Sequence, residues 1–227
     1  MNSTWVIRII AGLLLSYLIY IFYPTSSPNP RPFFWEIQNS DQGVHILGIR
    51  INTHNLQDAM LRLQGIPTTA LFTKRKAPGE PEPDMHLEAY FEDIYDEGDR
   101  FIFGLNADEK LLQHIKKQGI EPRLYPDGVL RINIHPDLAT IIQELPIHSI
   151  TIIPGHAIDF EEFQEHMGKP DNLINDGVGN AHFLYPKLGL DFIQPAGGTQ
   201  VLQFVAPEDF EEKLAKPLIQ SLPQGAI

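Results

Sequence analysis

The sequence predicts an α+β fold: an N-terminal transmembrane helix, then a mixed, mostly antiparallel sheet-plus-helix domain. Three observations carry that expectation. Trp5 to Tyr23 is a run of 19 residues interrupted by one charge, Arg8. Beyond it, apolar residues recur at helical spacing in a few short stretches and alternate in many others, as in Phe183, Tyr185, Leu190, Phe192, Leu202 and Phe204. The punctuation also repeats: a strand, a helix, a Gly-x-Pro stop and three strands occur around Gly65 and Pro67, and again around Gly168 and Pro170. That echo predicts two related α-β-β-β units.

Taken in order, residues 1–4 form a short cytoplasmic end and 5–23 a signal anchor. As a helix the 19-residue run is roughly 28 Å long, close to the hydrocarbon thickness of a bilayer. Trp5 at one end and Tyr20 and Tyr23 at the other suit the two interfaces, and Arg8 can snorkel toward the N-terminal side. The following prolines and the lack of an Ala-x-Ala site favour an uncleaved anchor over a cleaved signal peptide. The expected location is a bacterial inner membrane, single-pass, with the bulk of the chain in the periplasm. Residues 24–40 read as a stiff stalk, with four prolines between Pro24 and Pro32.

Residues 41–105 are the first α/β unit. A strand over 44–51 leads to a helix over 55–64 with Asn55 as N-cap and Asp58 three residues on. Strands follow at 69–73, 86–92 and 100–105. Residues 106–146 form a helical connector with one strand: Asn106 and Glu109 read as a capping box, Tyr125-Pro126-Asp127-Gly128 as a turn, 129–134 as a strand and 136–145 as a helix. The second unit, 147–206, opens with a strand over 149–153. Its helix over 158–167 is stopped by Gly168 and Pro170 and followed by an antiparallel meander. Residues 207–227 are a closing helix and tail.

Within 154–206, Gly168, Pro170, Tyr185, Pro186, Gly189, Leu190, Gly197 and Gly198 stand as they do in the SmpA/OmlA (BamE-like) envelope module, which this stretch resembles. The longer pattern is similar to uncharacterised single-pass proteobacterial envelope proteins. The resemblance implies a small α+β module and a role among envelope proteins. That family is attached through a lipidated cysteine, and this chain has no cysteine.

Composition excludes several functions. The formal net charge is −12, and the short runs Lys74-Arg75-Lys76 and Lys116-Lys117 are solvated surface, so nucleic acid is not an expected partner. Without cysteine there is no disulfide, thiol catalysis or cysteine zinc site. Among nine histidines, Asp159, Glu162 and His166 fall on one helical face and are the candidate metal ligands, against a plain solvated face. His45, His54, His135, His148, His156 and His182 are scattered singly. Ser149 follows His148, but adjacent residues on a strand point to opposite faces and cannot form a nucleophile–base pair. Gly177-Val178-Gly179-Asn180 reads as a turn. The acids Glu88, Glu92, Asp93 and Asp96 read as solvated carboxylates. No cofactor and no catalytic set is expected. The function expected is non-catalytic: an anchored envelope protein whose acidic domain binds other envelope proteins, with a small-ligand or metal-binding domain as the alternative.

Overall fold

The computed structural model describes residues 33–40, 43–74, 84–94 and 98–223. A short 3-10 turn, Phe33–Glu36, leads into a hairpin of β1 (Ile37–Ser40) and β2 (Gly43–Ile46). Helix α1 (Leu56–Leu63) follows. The Asn55 side chain accepts from the Asp58 amide, as the expected N-cap would, and the Asp58 carboxylate also accepts from the Asn55 amide, which completes a reciprocal box. The residue that ends α1 is Gln64, left-handed at φ 51°, one position before the expected Gly65.

Three antiparallel strands come next, β3 (Thr68–Lys74), β4 (Met85–Glu92) and β5 (Arg100–Leu105). Helix α2 (Glu109–Gln118) is capped by Asp108, whose carboxylate accepts from the Leu111 amide, so the expected start at Asn106 moves by two residues. Then come β6 (Ile120–Leu124), β7 (Val129–Asn133), α3 (Ala139–Gln143) and β8 (Ile147–Ile153). Helix α4 (Phe160–Met167) precedes β9 (Asn172–Asn175), β10 (Asn180–Tyr185), β11 (Leu190–Pro195) and β12 (Val201–Val205). The chain closes with a π turn, Glu211–Ala215, and α5 (Lys216–Ser221). Pro217 has no amide hydrogen and its ring crowds the preceding turn, which is reason for the backbone to widen there.

The ten strands β3 to β12 form one sheet in the order β6-β7-β3-β4-β5-β8-β12-β11-β10-β9, and every pair is antiparallel. This corrects the expected fold class. The sheet is not mixed, and the two expected units are not separate lobes. Strand β8 pairs with β5 on one side and β12 on the other, fusing both meanders into one sheet. The core is continuous across the join: one row of partners runs Phe91, Phe101, Ile152, Leu202, Phe192, Phe183 over six strands. With period 2, all of these point to one face, which α1 to α4 and the N-terminal 3-10 turn cover through Leu56, Leu63, Leu112, Ile115, Ile142, Phe163 and Phe34.

The expected single-pass inner-membrane location is corrected as well. The longest described helix has ten residues, against about 20 apolar residues needed to cross hydrocarbon. No described helix is long and apolar enough to cross a membrane. The anchor read at Trp5–Tyr23 and most of the stalk lie outside the described residues, whereas Phe33–Ser40, expected to be stalk, is folded into the 3-10 turn and β1.

Candidate functional site

The sheet's second face is occupied unevenly. Over its β10–β12 half, Leu184 and Val205 pack with Phe210 and Ala215 of the closing segment, joined by Ile174, Leu214 and Leu218. On the same face, by strand alternation with Leu184, His182 is buried beside Asp191, with the half-buried Asp176 next to it. The His182 Nδ1 is 2.8 Å from Asp191 Oδ2 and its Nε2 is 3.8 Å from Asp176 Oδ2. Burial pushes the Asp191 carboxyl up, partly countered by His182. Asp176 is held down at about 2, chiefly because its carboxylate accepts from the Asn180 amide, with further bonds from the Asn180 side chain and the Val178 amide. The Gly177-Val178-Gly179 stretch is thus the turn between β9 and β10.

Over the other half, the same face is open. Thr68, His86, Glu92 and Arg100 are exposed, and Phe72, Glu88, Tyr90, Ile102, Tyr125 and Arg131 are half-buried. Register explains the grouping: Tyr90 lies opposite Thr68 and Ile102, Phe72 opposite His86 and Arg131, and Glu92 opposite Arg100. Thr68, Phe72, Tyr90, Glu92, Arg100, Ile102 and Arg131 enclose a groove of about 530 Å³, edged by Ile66 and Tyr125. Its floor is aromatic, the Phe72 and Tyr90 rings lying 5.9 Å apart and tilted by 59°. The Tyr90 hydroxyl donates to the Glu88 carboxylate; burial and that carboxylate raise its pKa well above the usual phenol range. At the rim the Arg123 guanidinium sits 5.3 Å above the Tyr125 ring. Such a surface has an apolar floor, guanidinium donors around it and few free acceptors.

A β-bulge in the β5–β8 ladder overturns one expectation. The register shifts at Gly104 and Leu105, so that Ser149 and Ile147 pair with them and His148 is the extra residue. His148 and Ser149 therefore share a face: a Cβ placed on Gly104 would lie 2.2 Å from Ser149 Oγ and 2.9 Å from His148 Nε2. Among the described residues no hydrogen bond joins the hydroxyl to the imidazole, and the pair packs against a bare glycine. Burial, then the nearby Lys213 ammonium, pushes the His148 imidazole down, with Asp209 opposing. Burial thus favours the neutral ring in the folded protein. Stability from this group is fully present above the ordinary histidine value of 6.5 and is lost as pH falls through 6.5 to the lower folded-state value. The His148 ring proton, followed by NMR, is expected to titrate with a midpoint below 6.5, and a midpoint at or above that value contradicts the placement.

The metal candidates are placed apart in role. Asp159 is the N-cap of α4 and accepts from the Glu161 and Glu162 amides. Glu162 is exposed, and the His166 ring lies 6.2 Å from that of Phe34. Among the described residues no group of three His, Asp or Glu is arranged to hold a metal ion. His54 and His135 accept backbone hydrogen bonds from Arg50 and Asp137. His45 is half-buried and His156 exposed. Asp93 accepts from the Gly98 amide, and Asp96 lies outside the described residues. Sequence reading passed over Phe72, Tyr125, Arg100 and Arg131. Alternation at Phe72, Tyr90 and Ile102 was a usable signal, since it placed large apolar side chains opposite the core face.

No protein-family model, no curated protein and no solved structure matches this chain.

Proposed function

We propose that this chain is a non-catalytic protein-binding domain and that the open half of the sheet is its binding face. The observation that supports this is the groove over β3, β4, β5 and β7, where Tyr, Phe and Arg side chains stand together on rigid strands. Those are the residue types that dominate the energetics of protein interfaces, because a large rigid ring or a fork of donors gives much contact for little ordering entropy. The covered half of the same face supports the reading from the other side. There the closing segment already occupies the equivalent surface with Phe210 and Leu214, so this sheet face accepts apolar side chains laid across it.

The full chain, tagged and used to capture partners from its native extract, tests this directly. Ile66 is 90% exposed at the groove and Leu61 is 72% exposed on α1, away from it. Ile66→Glu is expected to lower recovery of the captured partner at least about tenfold, the effect of losing ~1.4 kcal/mol, while Leu61→Glu leaves it unchanged. Equal recovery with both variants would sink the assignment of this face.

A further inference from the structure

The geometry points to a chemical class for the groove's occupant: a carboxylate-rich peptide segment carrying an aromatic or branched apolar anchor. This rests on the protein-binding reading and adds to it the chemistry that recognition requires.

The charge pattern comes first. The chain holds 29 acidic residues against 17 Lys and Arg, yet the groove gathers Arg100 and Arg131 in its walls, and Arg123 stands directly opposite Arg131 across β6 and β7. Like charges paired across strands repel, and an anion lying between them removes that cost. Among the described residues no hydrogen bond or ion pair engages the guanidinium of Arg100 or Arg131. Glu88, half-buried on this face, accepts from the Tyr90 hydroxyl and does not line the groove; the carboxylate among the lining residues is Glu92, opposite Arg100. Donors therefore exceed acceptors. A guanidinium presents its donors in a planar fork that matches a carboxylate in a bidentate pair.

The anchor follows from the floor. Phe72, Tyr90 and Tyr125 offer ring faces and edges, and a groove of about 530 Å³ has room for a large side chain among them. Recognition works through side chains and not by strand addition, because the neighbouring edge strand β6 carries Pro122, which has no amide hydrogen to give a docking strand. A long phosphate polyanion is a poor occupant, since the net charge of −12 repels it over its whole length. A short acidic peptide meets mainly the local arginines.

The test uses the full chain at low ionic strength and three fluorescein-labelled peptides read by anisotropy: Glu-Asp-Trp-Glu-Asp-Leu-Glu, the same peptide with every acid replaced by lysine, and the acidic peptide with Trp and Leu replaced by alanine. The acidic anchored peptide is expected to bind, with affinity falling as salt rises. Arg131→Glu and Arg100→Gln each weaken it at least about tenfold, the alanine version binds more weakly, and the lysine version does not bind. Both substituted side chains reach solvent, and unchanged circular dichroism and melting temperature show that the variants stay folded. Equal binding of the lysine peptide, indifference to both arginine variants, or no binding of the acidic peptide overturns the inference. If partner capture still depends on Ile66 in that case, the binding face stands and the chemical class is wrong; if capture is indifferent too, both fall.

Discussion

Phe163→Ala is expected to destabilise the fold by about 3–5 kcal/mol, the usual cost of emptying a fully buried aromatic site. Phe163 is 0% exposed and is the side chain by which α4 grips the sheet. Its ring meets Phe34 at 5.5 Å, Phe192 at 4.9 Å and Tyr185 at 6.0 Å, so one residue ties the N-terminal turn, the helix and two strands together. Collapse into the vacated space is hindered because those partners are held by the sheet on one side and the hairpin on the other. Urea unfolding checks this: the midpoint is expected to fall with the slope unchanged. A loss within about 1 kcal/mol, as expected of a surface position, contradicts the role given to α4.

Gly189→Ala is expected to have a comparable effect through the backbone instead of the core. Gly189 sits at φ +64°, and a Cβ there would lie 2.0 Å from the carbonyl oxygen of Val205. The two segments cannot separate freely, because the Val205 amide donates to the Gly189 carbonyl at 2.9 Å and Leu190 pairs with Phe204 beside them. Left-handed strain contributes about 1–3 kcal/mol, and relieving the overlap by moving β11 from β12 costs roughly 1–3 kcal/mol more. Gly197→Ala is the matched control: it has nothing within 4 Å and no positive φ. That change is expected to be neutral or slightly stabilising by reducing the entropy of the unfolded chain. The same melting temperature for both alanine variants would contradict the close approach.

Much of the local structure was legible in the sequence, for physical reasons that can be named. Asn55 with Asp58 gave the start of α1, and alternation at Phe183, Tyr185, Leu190, Phe192, Leu202 and Phe204 correctly placed all six side chains against the core. Local signals failed where geometry is set at a distance. Strand β6 was passed over because all five of its residues are exposed, so no burial pattern marks Ile120 to Leu124. The joining of two meanders into one sheet depends on β8 finding both β5 and β12, a pairing between residues far apart in sequence that no local period encodes. Similar punctuation at Gly65 and Gly168 therefore predicted separate units where there is one sheet.

The candidate site was less legible still. Its arginines lie on β5, β6 and β7, one per strand, so no run or spacing draws the eye; only the register brings them together. The bulge at His148 shows the same limit from the other direction. A period of two sends neighbours to opposite faces, and one extra residue in β8 cancels it at the single place where a serine follows a histidine.

The claim that the open half of the sheet is the binding face is tested most directly by site-specific photocrosslinking of the full chain in its native extract. A benzophenone amino acid is placed in turn at Phe72, in the groove, and at Leu61, exposed on α1. The account predicts a discrete crosslinked partner from position 72, competed away by the acidic anchored peptide, and none from position 61. A partner trapped from position 61 with none from position 72 would contradict it.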